Sequence, residues 1–430
     1  MDGESQVERQ GRPDAQSATP YRDEVYFGAR PEQEIAFARE EYRQRLERVR
    51  ALMAERGIDC LYLTSPESMF YLVGYQAEWY QAESPRQWPP CSGVAVHVDH
   101  DRFILFEGER EAILTRIYTI SDDTRFFPRD SYRDGIGFIA ETLKDEGWLG
   151  GNIGLEFWSH RPNRAVSERF QAAFEAAGAD VIDGSDILRE VRWVKSPAEV
   201  ACLLEAARIA DIGQRRAREV LRAGVSELEV YGEIVRAMAA AGGENPGITM
   251  PVLSGDKANC THALASRRKM AHGEIVTVDV CGVYNRYHIN QARTYSIGEP
   301  AADTAEACRK AAGSMEVVRQ MLRPNLPVRE LNEALLAYYQ EVGLWDRRGW
   351  IGGYEMGIAF PPDWVGNFVF DPLSEINQDR VFAPGTAVNY ENQFFLPRHE
   401  GLYFMIESFL FTELEGRLLS SVPYDLTVIA

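Results

Sequence analysis

The chain has 430 residues, 45% of them hydrophobic, enough to bury a large core and to suggest two domains. Asp and Glu number 65 against 46 Lys and Arg, for a formal net charge of -19. This acidic balance argues against nucleic acid or an anionic membrane as the main partner and reads most simply as solubility.

Residues 1–31 are polar and charged apart from Val25-Tyr26-Phe27, and read as a loose N-terminal arm. They contain no apolar signal region, and no run of ~18 apolar residues occurs anywhere. Cys60, Cys91, Cys202, Cys260, Cys281 and Cys308 make no CxxC pair and show no zinc spacing. Together these features imply a cytoplasmic chain with free thiols and no membrane partner.

Residues 32–56 carry apolar side chains at helical spacing, ending at Gly57. Strands are expected at Cys60–Thr64, Phe70–Tyr75, Gly93–Val98, Phe103–Phe106, Ile153–Phe157 and Val181-Ile182. Helices are expected at Tyr132–Gly147, Arg164–Ala177 and Ile187–Val194. The alternation implies an α/β domain over 32–194, and no Gly-rich phosphate fingerprint supports a nucleotide site in it. At the junction Lys195-Ser196-Pro197-Ala198-Glu199, Ser196 is a natural N-cap and Pro197 suits the first turn. Helices are then expected at Val200–Leu221, Ser226–Ala241, Ala301–Leu322 and Val328–Val342. Strands are expected around Asp279 and at Ala387–Leu396, Leu402–Thr412 and Leu418–Ser420, making 195–430 an α+β domain.

The stretch from Ile275 to Ile297 reads as a buried strand, a polar turn with Gly282 and Asn285, and a returning strand. Asp279 inside it is costly as an isolated charge and needs a metal, a cationic ligand or a hydrogen-bonded partner. The chemistry is expected there.

Asp279, a polar residue eleven later, a Gly-rich turn and two separated glutamates resemble, in that order, the pita-bread fold. This is the family of methionine aminopeptidase, prolidase, creatinase and ectoine hydrolase, and the match runs from about residue 32 to the C-terminus. The resemblance implies a creatinase-like N-terminal domain and a pita-bread catalytic domain. In the family's metallopeptidases, Asp, Asp, His, Glu and Glu hold two metal ions. These positions fall here on Asp279, Asn290, Tyr354, Glu391 and Glu407. A neutral Asn and a Tyr are poor replacements for carboxylate and imidazole, so a two-metal centre is not expected and no cofactor is called for, with a single ion on Asp279, Glu391 and Glu407 as the alternative. Three carboxylates without metal would repel one another, and a cationic guanidinium or amidinium ligand would relieve them.

The resemblance thus points to the metal-free branch of creatinase and ectoine hydrolase. It makes His262 the proton carrier, with Glu391 and Glu407 orienting substrate and water. Asp279, Asn290, Tyr354 and Arg293 would contact substrate. Ala292 replaces a creatinase glutamate, while Phe360-Pro361-Pro362-Asp363-Trp364 resembles an ectoine hydrolase stretch. The loop Tyr75–Pro90 corresponds to one that closes a partner's pocket in creatinase-like dimers, which implies a homodimer. Its Trp79, Tyr80, Arg86 and Trp88 could cover a cation and hold a carboxylate. The expected function is hydrolysis of a non-peptide C–N bond in a small amidine, guanidino or N-acyl compound. A prolidase-like metallopeptidase and an inactive binding or scaffold protein are the alternatives.

Overall fold

The computed structural model describes residues 20–77, 86, 89–127 and 134–430. The chain divides into two compact units, 1–185 and 186–430.

The first unit begins with α1 (Pro20–Gly28), α2 (Arg39–Arg56), β1 (Cys60–Leu63), α3 (Pro66–Val73), β2 (Gly93–His97) and β3 (Phe103–Gly108). It continues through α4 (Ala112–Tyr118), β4 (Thr124–Phe127), α5 (Gly135–Asp145), β5 (Asn152–Leu155), α6 (Arg164–Ala177) and β6 (Asp180–Asp183). Among the described residues its six-stranded sheet has the order β4-β3-β2-β1-β5-β6. β1 pairs antiparallel with β2 and parallel with β5, so the sheet is mixed. Tyr62, Phe106, Phe127, Trp148, Phe170 and Phe174 fill its core.

The run Phe70–Tyr75, expected as a strand, lies mostly in α3. Ser65 caps that helix by accepting from the Ser68 N–H, Pro66 opens it, and left-handed Gly74 ends it. These end signals outweigh the aromatic, β-branched composition that suggested a strand. The arm expected over 1–31 contains α1, where Arg116 donates to the Tyr26 carbonyl.

The second unit follows from α7 (Ser185–Trp193). It runs through α8 (Pro197–Val220), α9 (Glu227–Ala240), β7 (Val252–Ser254), β8 (Ile275–Tyr284), β9 (Tyr287–Ile297), α10 (Ala302–Ala312), α11 (Ser314–Met321), β10 (Leu326–Pro327) and α12 (Val328–Glu341). Then come β11 (Arg348–Tyr354), β12 (Val369–Phe370), β13 (Val381–Phe382), β14 (Ala387–Phe395), β15 (Leu402–Phe411), β16 (Gly416–Leu418) and β17 (Thr427–Ile429). Ser196 and Glu199 form a reciprocal capping box with Pro197 in the first turn of α8, and Ser226 and Glu229 do the same for α9.

A nine-stranded sheet holds the unit together, with path β12-β11-β14-β15-β9-β8-β7 and with β16 on β15 and β17 on β9. The β8–β9 turn is Asn285-Arg286, both at positive φ. Gly282 is not in the turn but inside β8. A Cβ there would lie 1.9 Å from the Ala206 carbonyl oxygen and 2.7 Å from the Ala210 nitrogen. The glycine lets α8 press its backbone against the strand.

One face of the sheet carries helices. Gln214 of α8 donates to the Val278 and Gln291 carbonyls, each at 3.0 Å, and Tyr390 and Phe409 share a core with Cys308, Met315 and Leu335 of α10–α12. On the other face Ala292, Leu402, Phe404 and Ile406 form a small apolar cluster of their own. No helix of the described residues is long and apolar enough to cross a membrane.

Candidate active site

Strand register decides which side chains meet. Residues directly opposite in an antiparallel pair share a face, and successive residues alternate. Asp279 is opposite Ala292, Ala292 opposite Ile406, and Ile406 opposite Glu391. Asp279 and Glu391 therefore end one row that crosses β8, β9, β15 and β14 on the face away from the helices. Asn290 and Asn389 stand two residues from Ala292 and Glu391 on that same face. Tyr354 joins them because Gly352 is opposite Glu391. At Gly353 a Cβ would fall 2.0 Å from the Asn389 carbonyl oxygen, so only glycine lets β11 close here.

Hydrogen bonds tie these side chains together. Asn290 Nδ2 donates to Asp279 Oδ1 at 2.6 Å. Asn389 Nδ2 donates to Glu391 Oε1 at 3.1 Å and, at 3.4 Å, to Asn290 Oδ1. Gln393 Nε2 donates to Glu391 Oε2 at 3.2 Å. The Tyr354 hydroxyl donates to Asn290 Oδ1 at 3.4 Å and accepts from Trp364 Nε1 at 3.2 Å.

Burial is the main cause of the unusual acidities. It pushes the Asp279 carboxyl well above its ordinary range, the neighbouring Glu391 charge adds to that, and the Asn290 bond opposes it. Burial also raises Glu391 to about 7, against the stabilising donors Tyr354, Gln393 and Asn389. The Tyr354 phenol is pushed up by burial and by both carboxyls, so it works as a protonated donor. Two buried carboxyls of one network, both weakened as acids, can hold and pass a proton near neutral pH.

Glu407 is placed elsewhere, not at one pocket with the other two carboxylates. It lies opposite Tyr390, on the helix face, and pairs with Arg293 at 2.6 Å. Arg293 also donates to the carbonyls of Ala292, Ile406, Val422 and Pro423. This buried guanidinium pins the segment 420–423 to the sheet, and neither it nor Glu407 shares the face of Asp279.

His262 is exposed between β7 and β8, and no hydrogen bond or ion pair links it to the row among the described residues. His288 is fully buried. Its Nδ1 faces the Arg286 carbonyl at 2.9 Å and its Nε2 accepts from the Gly247 N–H at 3.0 Å, so it is a neutral structural imidazole whose affinity for a proton burial lowers further. Arg86 is an exposed turn residue, while Trp79, Tyr80 and Trp88 lie outside the described residues.

Sequence reasoning missed Asn389, Gln393 and the contact of Trp364. Asn389 and Gln393 flank Glu391 at two-residue spacing, and strand alternation was the signal that could have found them.

A divalent centre needs several lone-pair donors converging on one point. Here Asn290 turns its N–H₂ toward Asp279, Tyr354 keeps its proton, and Glu407 is taken by Arg293. No group of three or more His, Cys, Asp or Glu able to hold a metal occurs among the described residues. These donors do not fit a two-metal site.

Residues 201–413 match the model of metallopeptidase family M24, and residues 45–194 that of the creatinase/prolidase N-terminal domain. The chain is 27% identical to an ectoine hydrolase of Halomonas elongata, over 92% of this chain and 98% of that one. It is 24% identical to a probable dipeptidase PepE of Mycobacterium bovis, over 91% and 98%. A prolidase structure from Thermococcus sibiricus superposes with a TM-score of 0.77 at 16% identity, covering 90% of this chain and 99% of that one.

Proposed function

We propose, from the premise that this chain belongs to metallopeptidase family M24 behind a creatinase/prolidase N-terminal domain, that it is a metal-independent hydrolase of a non-peptide C–N bond. Its substrate class is a small amidine, guanidino or N-acyl compound. The observation that carries the reading is the Asn290 amide donating to Asp279 at 2.6 Å, where a metal centre would need another lone pair. The ectoine hydrolase relative supports the same bond type.

The chemistry then falls to side chains. An amidinium or guanidinium presents forked N–H donors that suit the Asp279–Glu391 pair and lower its repulsion. Ala292, Leu402, Phe404 and Ile406 supply an apolar floor on the same face. The pair takes a proton from water as its oxygen bonds to the substrate carbon, and returns a proton to the nitrogen as the C–N bond breaks. His262, exposed on its loop, would exchange that proton with solvent, a role resting on the family resemblance.

The dipeptidase relative supports a second reading, dipeptide hydrolysis. One experiment separates them. Protein purified without chelator is assayed for bound metal and for turnover of ectoine, creatine, guanidino acids, N-acetylated diamino acids and Xaa-Pro dipeptides, before and after chelation. The expected result is chelator-resistant turnover of a non-peptide compound, slowed in His262→Ala and restored by added imidazole. Tightly bound divalent ions together with chelator-sensitive dipeptide cleavage would sink the reading.

A further inference from the structure

Glu227, in the first turn of α9, is a fully buried carboxylate whose hydrogen bonds all run to one place. Its Oε1 accepts from the Ser254 N–H at 3.0 Å and from the Ser254 hydroxyl at 2.8 Å. Its Oε2 accepts from the Ser266 N–H and hydroxyl, each at 2.9 Å, and from the Lys257 ammonium. Among the described residues these donors all lie in 254–266, the stretch between β7 and β8 that carries His262. One carboxylate therefore holds both feet of that loop. Lys257 closes it further, donating at 3.0 Å to the Leu264 carbonyl and to the Ser266 hydroxyl, beyond His262.

A buried charge is costly, so the arrangement needs a reason. Burial alone would raise the Glu227 carboxyl, but Lys257, Ser254 and Ser266 hold it below its usual range and keep it ionised. Stability alone does not call for it, since well-packed apolar side chains often serve a buried position as well or better. What the multiply bonded carboxylate supplies is fixed geometry, and Cys260–Ser266 has no helix or strand of its own. The loop is also tied to the strands of the carboxyl row. Asn259 Nδ2 donates at 2.9 Å to the His399 carbonyl, in the turn from β14, which carries Glu391, to β15. A Cβ on Gly401 of that turn would stand 3.0 Å from the Ala258 Cβ.

We infer that Glu227 is the positioning residue for His262: with Lys257 it clamps loop 254–266 into one shape and sets where the imidazole stands. What His262 then does rests on the hydrolase reading above, whereas the clamp needs no reaction.

Hydrogen exchange of the full chain, read by mass spectrometry, tests the clamp without substrate. Glu227→Gln sets an N–H₂ among the donors. Lys257→Met removes the clasp from a partly exposed position and serves if the first variant does not fold. In each, amides of 254–266 should exchange on the order of ten-fold faster while β8 and β9 keep their protection. Wild-type exchange in 254–266 overturns the clamp, and so does loosening spread evenly through the second unit. Turnover of whichever panel compound is consumed then reads the positioning. Each variant should lower kcat by about ten- to a hundred-fold with KM little changed, and should cost nothing more in a His262→Ala chain. An equal loss in both backgrounds means that Glu227 does not act through His262 and overturns the assignment. A panel without turnover strikes the hydrolase reading instead, and the clamp stands or falls on the exchange alone.

Discussion

At Glu391, burial raises the carboxyl while two amides and a phenol pull it down, and the balance leaves it at about 7. A base must be deprotonated to act, so turnover should fall as pH drops through about 7, and Glu391→Gln should lower it by about 10²–10⁴-fold. Stability should move the other way. The folded value lies above the ordinary 4.5, so folding binds a proton between those values and loses that support as pH rises through about 7. Above that range Glu391→Gln should melt higher than wild type, by on the order of 3 kcal/mol, and the gap should close below about pH 4.5. A melting-temperature series across pH checks both signs. The order of Asp279, Asn290, Tyr354 and Glu391 was legible in the sequence. The place of Glu407 was not, because Ile406 and Glu407 differ by one step of strand parity and only the pairing with β14 shows which faces the row.

Helix ends were the most legible elements. Ser196-Pro197-Ala198-Glu199 predicted the start of α8, and the structure forms the full capping box. Ser65-Pro66 has the same chemistry, but the apolar run after it favoured a strand on composition alone. Arg348–Tyr354 went unread because its glycines hide the alternation of β11, a strand that also carries a register shift. Gly282 shows the reverse error, since a glycine near a turn looks like turn chemistry. Its reason is tertiary. With the Ala206 carbonyl 1.9 Å from any Cβ, Gly282→Ala must push α8 off β8. Overpacking of this kind costs about 1–3 kcal/mol or more. Chemical denaturation should show that loss, and turnover should fall with it because β8 carries Asp279. An unchanged midpoint would mean that α8 yields without cost.

At the scale of the whole molecule, it is the family resemblance that gives the first unit a part in catalysis. Among the described residues, the two carboxyls and the donors to them come from residues 279–393, inside the second unit. The loop expected to close the pocket, Tyr75–Pro90, belongs to the first. Its Trp79, Tyr80 and Trp88 are costly to leave in water, and clustered aromatics mark a binding surface. The family resemblance assigns such a loop to the neighbouring chain, so the expected working unit is a homodimer with composite sites. Mixing decides the matter. A chain carrying Arg86→Ala and Trp79→Ala is combined with an Asp279→Asn chain, each inactive alone. Shared sites give every heterodimer one intact site, so random exchange should restore about a quarter of wild-type turnover. A loop acting on its own chain's pocket restores nothing, however completely the subunits exchange, and a monomer by light scattering would end the composite-site reading outright.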